Sequence, residues 1–235
     1  MQPTPTSPQQ IRQQLDRQLA ERWPEACANR PWLGTVFATG LAMFDSLFDQ
    51  GGIPYGQIVE ISGAPCSGKT GFLYRLLSGL GRQETIAYVD YSGSFFPPAV
   101  AAAGLPLEQL LLITPGDLAA GLRSGELLFR QRRIAILVCD LAENNQALPM
   151  ILLHRLRMEA IRARGLVLLL TRQTAGSISQ VPGSMVALRL QVTTDTARCW
   201  QVTISRSRLC RQGTTITCPH TAMPGNPAGR LERIH

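Results

Sequence analysis

The chain has 235 residues, a hydrophobic fraction of 45% and a net charge of +7 with a pI near 9.5. That length supports one substantial core without staples, and its longest apolar runs, such as Leu166 to Leu170, are too short to cross a bilayer. The six cysteines form no C-x-x-C pair and have no histidine at zinc-ligand spacing, which argues against a metal or redox protein; the opening M-Q-P-T-P-T-S-P lacks the charge and apolar block of a signal peptide, so no membrane partner and a cytoplasmic location are expected.

In chain order, Ser7-Pro8-Gln9-Gln10 supplies the cap, N1 proline and N3 glutamine of a helix start. The helix is expected to reach Arg22, with Ile11, Leu15, Leu19 and Trp23 making a narrow apolar stripe that packs on this core or docks on a neighbour. With the proline-punctuated linker Pro24 to Pro31 it makes a first segment, 1–34. From there the pattern alternates. Strands are expected over Ile58–Ser62, Thr85–Asp90, Leu110–Thr114, Ile134–Cys139 and Leu166–Thr171, with helices near 69–80, 97–103, 117–130 and 147–164. Near-continuous apolar strands separated by helices predict an α/β core with a mostly parallel sheet covered on both faces. Met185–Val192, Trp200–Ser205 and Thr214–Cys218 then read as strands with no helix between them, an antiparallel C-terminal extension. The core is placed at 35–218 and a flexible, proline- and glycine-rich tail at 219–235.

The chemistry concentrates between the first expected strand and helix. Gly63, Ala64, Pro65, Cys66, Ser67, Gly68, Lys69 and Thr70 spell G-x-x-x-x-G-K-T, in which backbone N–H groups wrap phosphates and the lysine reaches the terminal ones. Lys69 is the only lysine; the other 22 basic residues are arginine, whose planar fork is too large for such a loop. ATP and Mg2+ are the expected ligands, with the Thr70 hydroxyl on the metal. Asp140, at the end of the apolar strand I-A-I-L-V-C, sits where a water-mediated metal carboxylate belongs.

The stretch Ala38 to Thr70 (T-G, an aspartate-anchored helix, G-G-x-P-x-G, strand and loop) resembles the entry to the ATPase core of RecA-type recombinases. The likeness continues through V-D-Y-S-G-S-F-F-P (Val89 to Pro97), Asp140 and L-T-R-Q (Leu170 to Gln173) to I-S-R-S-R (Ile204 to Arg208). The N-terminal helix and the size also resemble the ImuA-type RecA-like accessory proteins of bacterial mutagenic repair. The resemblance implies that Gln173 senses the terminal phosphate. It also implies that Arg206 and Arg208, on one face of a strand, reach the nucleotide of an adjacent subunit.

The departures from the family carry equal weight. Where the recombinases place the glutamate that orients the attacking water, this chain has Ser92, and loss of positioned base chemistry costs roughly 10²–10⁴-fold in rate. The adenine-packing aromatic falls near Ala99, and only ten residues, Thr174 to Gly183, separate Gln173 from the next expected strand, too few for the DNA-stretching loop. The resemblance thus implies an ATP-binding accessory factor in DNA repair, recombination or SOS mutagenesis with slow or absent hydrolysis. Expected partners are a recombinase or translesion polymerase, further copies of the chain, and DNA bound without sequence preference through arginines of the basic second half. A signalling ATPase of the same fold and a nucleotide-independent scaffold are the alternatives, because the fold hosts many functions.

Overall fold

A computed structural model describes residues 36–80, 84–143, 147–173, 179–195 and 199–220. The expected N-terminal helix and linker, and the tail beyond residue 220, lie outside the described residues. An eight-stranded sheet runs in the order β10-β9-β8-β3-β7-β6-β4-β5. Its parallel part is β3 (Ile58–Gly63), β4 (Ile86–Asp90), β5 (Leu110–Ile113), β6 (Ile136–Leu141) and β7 (Leu166–Arg172), joined on the other side of β3 by β8 (Leu188–Thr194). β9 (Cys199–Ser207) and β10 (Thr215–Pro219) close that edge antiparallel. A two-stranded ribbon, β1 (Val36–Phe37) with β2 (Ile53–Pro54), precedes the sheet.

The apolar strands β3, β4, β6 and β7 are buried because both faces are covered, whereas the edge strand β5 leaves Leu111 and Leu112 exposed. On one face, α1 (Ala42–Asp45), α2 (Lys69–Leu77) and α3 (Pro97–Ala102) contribute Phe44, Phe72, Leu73, Leu76, Leu77 and Val100 to a core with Val59, Ile61, Ile86, Ile136, Leu168 and Leu190. On the other, α4 (Leu118–Arg130) and α5 (Met150–Ala163) bring Leu122, Phe129, Leu153, Leu156 and Ala160 onto Ile58, Val89, Leu137, Cys139 and Leu169. Asp117 caps α4 by accepting a hydrogen bond from the Ala120 N–H at 2.6 Å. The anchored entry also forms: Asp45 accepts from the Thr39 N–H and hydroxyl at 3.0 and 2.8 Å and from the Gly40 N–H at 3.0 Å.

Four details differ from the sequence reading or add to it. β8 pairs parallel with β3, so the connection from β7 crosses over β3 and the antiparallel extension begins one strand later, at β9. β8 starts at Leu188, which makes the connection after Gln173 longer than the ten residues expected. A bulge between Arg189 and Leu190 interrupts the β8–β9 register. β9 ends at Ser207, so Arg208 lies just past the strand.

Candidate functional site

All the parallel strands of the core end at one edge of the sheet, and the glycine-rich loop leaves β3 there to open α2. Ligands of open α/β sheets gather at this edge. Ala64, Pro65 and Cys66 form the exposed tip, Cys66 with a positive φ of 60°, while Ser67 and Lys69 are buried. The loop closes through the Ser67 N–H on the Ala64 carbonyl at 3.2 Å, and α2 starts with the Phe72 N–H on the Gly68 carbonyl at 2.9 Å. Gly68, the residue preceding α2, has φ +76° and supplies no side-chain cap. The first N–H groups of α2 are therefore left for an external acceptor.

Two glycines are required by contact. A Cβ on Gly63 would stand 2.4 Å from Ser67 Oγ and 2.6 Å from the Val192 carbonyl oxygen. A Cβ on Gly68 would stand 2.6 Å from Thr194 Oγ1 and 2.8 Å from Trp200 Nε1. The loop is thus braced from β8 and β9: Thr194 Oγ1 donates to the Ser67 carbonyl at 2.7 Å, and the Trp200 ring packs edge-on against Phe72 of α2.

Around the loop stand the other expected residues. Lys69 Nζ donates to the Ala64 carbonyl at 3.3 Å. Burial pushes its amine below the ordinary range, opposed by the negative charges of Asp140 and Glu143. The Gln173 N–H donates to the Gly63 carbonyl at 3.1 Å, which sets Gln173 beside the root of the loop; its Oε1 is buried with no hydrogen-bond partner among the described residues. Asp140 is paired in register with Asp90 on the adjacent strand. Its Oδ2 accepts from the Tyr88 hydroxyl at 2.8 Å and its Oδ1 from the Ala142 N–H at 3.1 Å. Burial raises the Asp140 carboxyl above the ordinary range, and the Tyr88 hydrogen bond opposes the shift.

Ser92 belongs to a turn organised by Asp90. Asp90 Oδ1 accepts from the N–H and hydroxyl of Ser92 and from the N–H of Ser94, all at 3.2 Å, and Oδ2 accepts from the Phe95 N–H at 3.0 Å. Ser92 Oγ and Ser94 Oγ are 2.6 Å apart, and Ser94 donates to Asp140 Oδ2 at 3.4 Å. A hydroxyl so engaged is a poor base. Ala99 lies in α3, packed against the core.

Arg206 and Arg208 are not at this edge. Arg206 pairs in register with Arg189 near the start of β8, at the opposite edge, and its guanidinium lies against Gly183. Arg208 Nη2 donates to the Ser184 carbonyl at 2.9 Å. Both are exposed and held on one short loop, away from the glycine-rich loop of their own chain. Sequence reasoning missed Thr194, Trp200, Tyr88 and Ser94. For Tyr88 and Trp200 there was a signal: a phenol or indole inside an apolar strand brings a polar atom that needs a partner. Thr194 and Ser94 carried none.

The residues fit a nucleotide triphosphate with a divalent cation. The loop has a glycine cradle that side chains would fill, a buried lone lysine, an uncapped helix start, a nearby buried carboxylate and an orphaned glutamine oxygen. Comparison with known proteins agrees with the fold. Residues 32–147 match the family model of the RecA N-terminal domain. Protein RecA of Lactobacillus delbrueckii subsp. bulgaricus is 35% identical over 109 residues, 46% of this chain and 33% of that protein. Protein RecA of Marinobacter nauticus is 30% identical over 104 residues (44% and 30%), and that of Fusobacterium nucleatum 31% over 103 residues (43% and 27%). The matched segment thus spans a third or less of each of these relatives. The chain is homologous to the RecA-like ATPase superfamily at low identity over about half its length.

Proposed function

We propose that this RecA-like chain is an ATP-binding accessory factor in DNA repair, recombination or SOS mutagenesis, with slow or absent ATP hydrolysis. The observation that carries the reading is the meeting of the glycine-rich loop, Lys69, Asp140 and Gln173 at one end of the parallel sheet. The backbone N–H groups from Gly63 to Thr70, Pro65 apart, and the Lys69 ammonium would hold the phosphates of ATP, and Mg2+ would be held by Thr70 directly and by Asp140 through water. The nucleotide's chemistry is a transferable terminal phosphoryl group. What this chain contributes is positioning and charge. Gln173 reads the terminal phosphate by donating from its amide Nε2–H, which leaves the free Oε1 to accept from water beside that phosphate.

Slow turnover follows from Ser92, whose hydroxyl is spent on Asp90 and Ser94. Binding survives without a positioned base, so nucleotide acts mainly to set a conformation that partners recognise. The narrower likeness to ImuA-type accessory proteins supports a recombinase or translesion polymerase as that partner. Affinity capture of the tagged full chain after DNA damage, with and without a non-hydrolysable ATP analogue, tests the reading. Nucleotide-dependent recovery of a recombinase or a translesion polymerase is the expected result. Recovery only of signalling components would favour a signalling ATPase, and capture indifferent to nucleotide in a chain that binds no ATP would favour a scaffold.

A further inference from the structure

At the edge of the sheet opposite the glycine-rich loop, α4 and α5 end side by side and leave an open cavity of about 330 Å3. Arg130, Arg132 and Arg162 line it with Glu159, over a floor of Phe129 and Ala163. Arg133 and Arg164 adjoin it in the chain, and all five arginines are exposed. Both chain exits turn through the left-handed region, Arg132 at φ 52° and Arg164 at φ 55°. Two carboxylates meet the cluster: Glu126 accepts from Arg130 and Arg155 at 2.8 Å each, and Glu159 from Arg162 at 2.6 Å. Arg132, Arg133 and Arg164 have no acidic partner among the described residues.

Arginine at helix C-termini is often answered by the backbone itself, so the charges decide the matter. Each helix end carries roughly half a negative charge. Against five arginines, the two carboxylates and two helix ends leave an excess of about two positive charges on a small concave surface. Guanidinium forks match phosphate oxygens two at a time. An acidic peptide would also be attracted, but its tight docking needs an apolar anchor, and Phe129 is fully buried beneath the arginines. A repeating phosphate backbone needs only a run of cations, which continues from the cavity rim to Arg155, two turns back from Arg162 on α5 and paired with Glu126.

We propose that the arginine-lined cavity between the C-terminal ends of α4 and α5 binds the sugar-phosphate backbone of a nucleic acid. The site gives a surface to the DNA contact in the functional reading, on which it rests, and it leaves the nucleotide edge free to be occupied at the same time. The test is fluorescence anisotropy of labelled single-stranded and duplex oligonucleotides with the full chain and the triple variant Arg132→Gln, Arg133→Gln, Arg164→Gln. These three side chains have no acidic partner, so the fold should persist, as thermal melting and MgATP titration of the variant check. Loss of three phosphate contacts should lower the salt slope on single strands by about two and weaken binding about a hundredfold at about 0.1 M salt. The proposal is overturned if wild type binds neither oligonucleotide, if the folded variant binds like wild type, or if poly-glutamate displaces the oligonucleotide at equal charge. Oligonucleotide binding without MgATP binding would instead sink the ATP reading alone, and MgATP binding without oligonucleotide binding would sink this site alone.

Discussion

At the residue scale, the glycine-rich loop is held by steric exclusion as much as by hydrogen bonds. Gly68 combines a left-handed backbone with a Cβ direction filled by Thr194 and Trp200. Gly68→Ala should therefore lower stability by about 1–3 kcal/mol, measured by urea denaturation; a loss below a few tenths would mean that the brace from β8 and β9 yields easily. Ser92 makes the opposite kind of prediction. Wild type should hydrolyse ATP slowly, and Ser92→Glu should raise single-turnover hydrolysis, because a carboxylate there can orient water once freed from the Asp90 turn. Wild-type turnover comparable to a DNA-stimulated recombinase would refute lost catalysis at this position.

At the element scale, β3 and β8 are tied together by an ion pair in which the Glu60 carboxylate is buried and the Arg189 guanidinium partly so. Glu60 accepts from Arg189 Nε at 2.5 Å, from Thr171 Oγ1 at 2.9 Å and from Ser179 Oγ at 2.6 Å, and Arg189 Nη2 donates to the Val181 carbonyl at 3.0 Å. The network fastens the end of the β7–β8 connection to the strand that carries the glycine-rich loop. Arg189→Met should cost about 3–5 kcal/mol, because it strands the Glu60 carboxylate in the core; denaturation midpoints read the loss, and a change under about 1 kcal/mol would show that water or a rearranged side chain replaces the arginine. Strands such as I-V-E-I-S and A-I-L-V-C, and the loop between β3 and α2, were legible because burial on both faces writes continuous apolar runs and phosphate chemistry fixes residue types at fixed spacing. The parallel pairing of β8 was not legible, since an apolar strand does not name its neighbour. Nor was the Thr194–Ser67 contact, which joins residues 127 positions apart.

At the scale of the whole molecule, the two ends of the sheet are chemically different. One gathers Lys69, Asp140 and Gln173; the other carries the arginine cavity and, near β8 and β9, Arg206 and Arg208. Because the latter pair cannot serve the loop of its own chain, a role with nucleotide requires a second subunit. Sedimentation should show association promoted by a non-hydrolysable ATP analogue and abolished by replacing both arginines with alanine; no nucleotide-dependent change with self or a recombinase would assign them to another task. The proposed function depends first on ATP reaching the loop. Calorimetric titration of MgATP into wild type and Lys69→Ala tests that most directly. Wild type should bind and the variant should not, with no loss of melting temperature, since the substitution removes an amine that burial disfavours in its charged form. Equal affinity in the two proteins, or no binding by wild type, would contradict it.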